Sequence, residues 1–389
     1  MANYAEGVNP EVLRWARERA GYSIGQIAEA FKKQSSEISG WEEGASVPTY
    51  NQLERLAYSF YKRPLALFFF PTPPEETDPE QEFRTLPESE LANLLPDTRH
   101  AIREGRAMQE ALRELCNGEN PSSRLVFNDL QMDASEPVPQ AGGRLRSYLD
   151  VSTQHQSEWS GSPVALARWR ELVEAVGVFV FKRSFKQQDV SGFCLIDPQF
   201  PIIYLNNSTA KTRQVFTIFH ELAHILVRSS GITKTDYSYI SSLSGEERSI
   251  EVFCNAFAGE FLVPSSDFEL RFDRQQPVEE STTELARYYN VSREVILRKL
   301  LDRGIVSQEH YEEMAQKWIE GFEESRKSGR GGDYYATQAA YLGDRYMNLV
   351  FSQYYERNVS LQELASYLNI KAKSVEGLER QMLRRAFAQ

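Results

Sequence analysis

His220-Glu221-Leu222-Ala223-His224 places two imidazoles and a carboxylate within one short run, and it uses two of the chain's five histidines. On a helix, residues four apart share a face, so both rings can reach a single ion. Zinc takes neutral imidazole nitrogen, prefers four ligands, and in a catalytic centre keeps one position open. Glu221 follows a candidate ligand directly but stands about 100° further round the helix. That puts its carboxylate beside the open position rather than on the ion, where a general base belongs. Zinc also brings the pKa of water down to about 7, so hydroxide becomes available at neutral pH. The chemistry implied is metal-assisted hydrolysis.

The flanks favour this reading. Phe216, Ile218, Phe219, Leu222, Ala223, Ile225, Leu226 and Val227 are all apolar, which predicts a buried helix. Two buried histidines beside a glutamate require polar partners, and a cation supplies them. A third ligand must come from elsewhere. Glu246, Glu247, Glu251 and Glu260 share a downstream helical stretch, and His310 lies in another. Glu251 leads the other glutamates on spacing, because the residues of Val252-Phe-Cys-Asn255-Ala-Phe-Ala258 are those of a helix packed on the first. Glu246, Glu247 and Glu260 stay open, each with an exposed salt bridge as the plain alternative.

Such a site needs a scaffold, and the hydrophobic pattern outlines one. Val178–Phe181, Gly192–Ile196 and Ile202–Leu205 are short apolar runs with polar, Gly or Pro borders, which predicts strands. Helices are expected over about 209–227 and about 246–262, with a loop between them and Pro264 ending the second. Residues 9–60 read as short helices with tight turns, and nearly everything after Thr282 is helical in pattern. The expected fold class is α+β, predominantly α-helical, in four parts: 1–70, 71–140, 141–272 and 273–389. The Ser328-Gly-Arg-Gly-Gly-Asp333 tract reads as a hinge between the last helical groups.

Composition removes several classes. The net charge is −11, and nearly all of the excess lies in residues 71–140, which hold 6 Lys+Arg against 15 Asp+Glu. No segment is broadly basic, so nucleic-acid binding would have to be local and geometric. The longest apolar runs, such as Leu65–Phe70, fall far short of the roughly 20 residues of a membrane span. Arg14, Arg17, Glu18 and Arg19 rule out a secretory h-region over the first thirty residues. Cys116, Cys194 and Cys254 are too dispersed for a disulfide framework or a CxxC knuckle. A cytoplasmic location without membrane attachment is expected.

Phe216-Thr-Ile-Phe-His-Glu-Leu-Ala-His224, followed by Glu251-Val-Phe-Cys-Asn-Ala-Phe-Ala-Gly-Glu-Phe-Leu-Val-Pro264, resembles the ImmA/IrrE family of metallopeptidases. That family pairs HExxH with a downstream Glu-x-x-Ala-Asn-x-Phe-Ala…Leu-x-Pro helix. The resemblance implies a zincin-like domain with a small sheet, Zn2+ held by His220, His224 and Glu251, and Glu221 as catalytic base. Cys254 stands where the family usually has Ala. The Phe83-Arg-Thr-Leu86 segment and the fused N-terminal module extend the likeness. It implies an endopeptidase acting on a partner regulator, either a helix-turn-helix repressor or a toxin–antitoxin component. Tyr237, Tyr239 and His310 stand as candidates for stabilising an oxyanion.

Residues 23–57 resemble the Cro/repressor-type (XRE) helix-turn-helix: Ser23-Ile-Gly-Gln-Ile-Ala-Glu-Ala-Phe31, a turn, Ser35-Ser-Glu-Ile-Ser-Gly-Trp-Glu42, then Pro48 to Ala57. By position, Gln34, Ser35, Ser36, Glu37 and Ser39 would face an operator, with Lys32 and Lys33 near phosphates. The turn departs from the pattern, since lysines stand where Gly and an aliphatic residue are usual, and residues 1–70 carry no net charge. Thr283–Ile296 and Ser360–Val375 repeat the helix-turn-helix cadence, which is also a common packing hairpin. The alternative to a peptidase is a transcriptional regulator or antitoxin whose zinc domain is structural or sensory.

Overall fold

Ser23 opens its helix as its sequence suggests, accepting from Gln26 N at 3.1 Å while Gln26 Oε1 accepts from Ser23 N at 2.8 Å. A computed structural model describes residues 3–76, 93–229, 231–234, 240, 243–326 and 333–386. Phe83–Leu86, Tyr237, Tyr239 and the glycines of the 328–332 tract lie outside the described residues. The described residues divide into two compact units, one ending at Glu104 and the other beginning at Gly105.

The first unit carries α1 (Pro10–Ala20), α2 (Ile24–Phe31), α3 (Ser35–Glu42) and α4 (Tyr50–Arg55), the last running on as a π-helical turn. Val12, Leu13, Ala16, Ile27, Ile38, Leu53 and Leu56 form its core. A two-point ion pair, Arg17 to Glu42 at 2.7 and 2.9 Å, ties α1 to α3 inside it. The unit also takes the start of α5 (Pro96–Leu115), within which the division falls.

The second unit is α+β with a clear helical majority. Its helices α6 (Val126–Asp129), α7 (Val138–Leu149), α8 (Thr153–Ser157) and α9 (Ser162–Ala175) precede strands β1 (Phe179–Arg183), β2 (Val190–Leu195) and β3 (Ile202–Asn206). Then come α10 (Lys211–Leu226), β4 (Ile232–Lys234), α11 (Gly245–Leu262), α12 (Ser265–Arg271), α13 (Val278–Tyr289), α14 (Arg293–Asp302) and α15 (Gln308–Arg326). Four more helices close it: α16 (Tyr334–Leu342), α17 (Asp344–Tyr355), α18 (Leu361–Tyr367) and α19 (Val375–Ala386). The sheet runs β1-β3-β2-β4, with β1 parallel to β3 and the other pairs antiparallel.

The three expected strands are all present. The stretch read as a loop after Val227 is a correction: it contains β4, an edge strand of three residues, too short for any periodicity to register. No helix among the described residues is long and apolar enough to cross a membrane.

Helix α10 is apolar on nearly every side because it is buried on nearly every side. Phe219 stacks on Phe261 of α11 with ring centroids 4.1 Å apart, and Trp169 of α9 meets Phe219 edge-on at 4.8 Å. Its C-terminus reverses sharply. Arg228 takes a left-handed φ of 58°, Ser229 N donates to His224 O at 2.8 Å, and Arg228 N donates to Ile225 O at 3.1 Å. This is a Schellman turn with arginine where glycine is usual. Beyond it β4 lies beside α10, with Thr233 N donating to Glu221 Oε1.

Candidate metal centre

His220 and His224 project from α10, and Glu251 from α11, into one fully buried spot. His220 Nε2 and His224 Nε2 are 3.1 Å apart, His224 Nε2 is 3.3 Å from Glu251 Oε1, and His220 Nε2 is 3.6 Å from Glu251 Oε2. Ligand bonds of about 2.0–2.1 Å in tetrahedral geometry require ligand atoms about 3.3–3.4 Å apart. The three separations, two of them to different oxygens of Glu251, lie close to that spacing, so the donor set suits a tetrahedral cation. Among the described residues this is the cluster of His, Cys, Asp and Glu groups with ligand spacing. Glu246 and Glu247 lie in the first turn of α11, and Glu260 instead accepts from Lys299 Nζ at 2.7 Å. His310 is exposed on α15, apart from the cluster.

Electrostatics point the same way. Burial alone would push the Glu251 carboxyl up, yet His224 and His220 hold it well below the usual carboxylate range. Burial pulls the His224 imidazole down, while Cys254 and Glu251 outweigh it and raise it above an ordinary histidine. The lowered Glu251 carboxyl marks a carboxylate held anionic by the rings, and the raised His224 marks a spot that favours positive charge beside it.

The neighbouring groups orient the cluster. Asn255, one helical turn after Glu251, places Oδ1 at 3.0 Å from His220 Nδ1. If Nδ1 carries the proton, it donates to that oxygen and Nε2 presents its lone pair towards His224 and Glu251. The sequence reading quoted Asn255 without a role, although the same four-residue spacing that joins the histidines joins it to Glu251. Glu221 is fully buried, and burial raises its carboxyl against the opposing pull of His224 and His220. Its Oε1 accepts from Thr233 N at 3.1 Å and from the Thr233 hydroxyl. Its Oε2 meets no hydrogen-bond partner of ordinary geometry, and the buried Cys194 thiol interacts with the carboxylate. One carboxylate oxygen is therefore anchored to β4 while the other keeps its lone pairs. Thr233 carries no signal in the sequence, because its strand is too short for an alternation to show.

In the first unit, Ser35, Ser36 and Glu37 form the exposed first turn of α3, with Gln34 before it and Ser39 half-buried. Lys32 ends α2 in a left-handed conformation, φ 54°, which accounts for the glycine usual at that place. Lys33 donates to Glu37 Oε1 at 2.9 Å, so its charge is partly met within the module.

Residues 173–301 match the IrrE N-terminal-like domain family, peptidase M78. Two radiation response metalloproteases IrrE are similar to part of the chain. That of Deinococcus deserti is 31% identical over 113 residues, 28% of this chain and 38% of that protein. That of Deinococcus radiodurans is 28% identical over 109 residues, 28% of this chain and 33% of that protein. The match thus spans little more than a third of these relatives. A Mycobacterium tuberculosis transcriptional regulator superposes with a TM-score of 0.29 at 17% identity, over 50% of this chain and 51% of that one.

Proposed function

We propose, from the premise that this chain belongs to the ImmA/IrrE metallopeptidase family through residues 173–301, that it is a zinc-dependent endopeptidase acting on a partner regulatory protein. His220, His224 and Glu251 hold the ion in this reading, and Glu221 is the catalytic base. The observation that carries it is the pairing of a tetrahedrally spaced His/His/Glu donor set with a carboxylate whose Oε2 meets no hydrogen-bond partner of ordinary geometry. Zinc bound there would supply Lewis acidity to the scissile carbonyl and acidify water.

The protein's own part is positioning and proton transfer. Asn255 steadies the His220 ring, and Thr233 holds Glu221 Oε1. Glu221 Oε2 then takes the proton of the attacking water and passes it to the leaving amine. Complete burial raises the basicity of this carboxylate, which suits it to the task. The substrate proposed is a helix-turn-helix repressor or a toxin–antitoxin component. The N-terminal module would bring the peptidase to an operator through Gln34, Ser35, Ser36, Glu37 and Ser39, with Lys32 and Lys33 at phosphates.

The test uses the regulator or toxin encoded by the neighbouring gene. Zinc-loaded protein should cut it at one site, and Glu221→Gln should keep its zinc and lose all cleavage. Undiminished cleavage by Glu221→Gln overturns the mechanism. Loss of operator binding on chelation, with no partner ever cut, would favour a zinc-dependent regulator instead.

A further inference from the structure

Gly231 stands seven residues after His224, at the entry to β4. Its φ is not among the left-handed ones, so conformation does not call for glycine here. Space does. A Cβ at this position would lie 2.6 Å from His224 Cδ2, 2.7 Å from Nε2 and 2.9 Å from Cε1. Ordinary carbon contacts are about 3.5–4.0 Å, so the shortfall is close to 1 Å. All three atoms belong to the end of the ring that faces His220 and Glu251.

The strand cannot retreat to make room. Cys194 N donates to Gly231 O at 3.0 Å, Ile232 pairs with Phe193, and Thr233 is fastened to Glu221. The ring cannot yield either without leaving the cluster, since metal–ligand distances tolerate only about 0.2 Å.

We infer that Gly231 is a positioning residue of the metal centre: by lacking a side chain it lets the anchored edge strand lie against His224 and fix the ring where Nε2 can ligate. β4 thereby sets two members of the site at once, His224 through Gly231 and Glu221 through Thr233. The inference rests on the metal reading above, and its test separates the two.

Zinc affinity is measured by competition with a chromophoric chelator on the full chain. Wild type should bind one zinc tightly. Gly231→Ala should bind at least about tenfold more weakly, as expected when a ligand's support is lost. Gly143→Ala, where a Cβ would meet nothing within 4 Å, should stay within about threefold of wild type. Equal affinity for wild type and Gly231→Ala overturns the inference, and so does an equal loss in Gly143→Ala.

A stability cycle on the metal-free protein keeps the question open to refutation if Gly231→Ala folds poorly. The alanine should lower the urea midpoint with His224 present and should not lower it in a His224→Ala background. A drop that persists without the imidazole overturns the inference. If wild type binds no zinc, the metal reading fails, while the cycle still judges the Gly231–His224 contact.

Discussion

Replacing Gln156 by leucine should destabilise the second unit by about 3–5 kcal/mol. Gln156 is fully buried and joins three elements that the sequence keeps far apart. Its Nε2 donates to Leu262 O at 3.0 Å, at the end of α11, and to Tyr289 O at 2.6 Å, at the end of α13. Its Oε1 accepts from Arg146 Nη1 at 3.0 Å. Leucine fills the volume but leaves two carbonyls and a guanidinium each short of a partner. A buried polar group stranded in this way costs about 1–3 kcal/mol. Arg146 has little to fall back on. Burial has already pulled it down to about 10, Nη2 has no partner, and Nη1 would keep only Phe261 O at 2.7 Å. In a unit of this size about 1 kcal/mol moves the midpoint by some 2 °C, so a fall of about 6–10 °C is expected. Thermal and urea unfolding followed by tryptophan fluorescence measure the midpoint and the free energy, with Trp159 and Trp169 in contact at 4.7 Å as local reporters. Gln156→Glu should do no better, because the lost donors matter more than the retained acceptor. A leucine variant within 1 kcal/mol of wild type would refute the reasoning.

Three further outcomes are expected. Asn255→Leu should weaken zinc binding by about 10- to 100-fold in chelator competition, because His220 loses the acceptor at Nδ1. Stripping zinc should lower the thermal midpoint by about 8 °C if free zinc had stood 1,000-fold above its dissociation constant, read by differential scanning calorimetry with and without chelator. Lys182→Met should stabilise the protein at pH 7.5 and less so at pH 9.5. Burial, with Arg170 and Lys211 nearby, depresses the Lys182 pKa well below 10.5, so between the two values the unfolded chain binds the extra proton and wild-type stability climbs with pH. Midpoints of both proteins across that range decide it.

The parts of the site that share one helix were legible in the sequence. His220, Glu221 and His224 announce themselves by a spacing that has meaning only on a helix, and the apolar flanks declare that helix buried. Glu251 was visible more dimly. Spacing favoured it only modestly over Glu246, Glu247 and Glu260, and the family motif singled it out. Asn255 could have been found by applying the four-residue rule once more along α11. Gly231 and Thr233 could not. β4 has three residues, it follows a Schellman turn closed by Arg228 where a glycine would have marked the reversal, and its function lies in one absent side chain and one hydrogen-bonded threonine. Gln156 was equally hidden. The polar Thr153-Gln-His-Gln-Ser157 run carries no mark of burial, and only the meeting of α11 and α13 more than a hundred residues later buries it.

These residues also differ in where they fall relative to the matched family segment. His220, Glu221, His224, Gly231, Thr233, Glu251 and Asn255 all lie inside residues 173–301. Two helices and the edge strand between them, within Lys211–Leu262, therefore contain every group assigned to the chemistry. Gln156 and Arg146 lie outside it, yet they grip the end of α11, the helix that carries Glu251. The Gln156 substitution thus tests the hold on that helix end, whereas Gly231 and Asn255 test the centre. Zinc affinity should follow the second pair closely and Gln156 only through global stability.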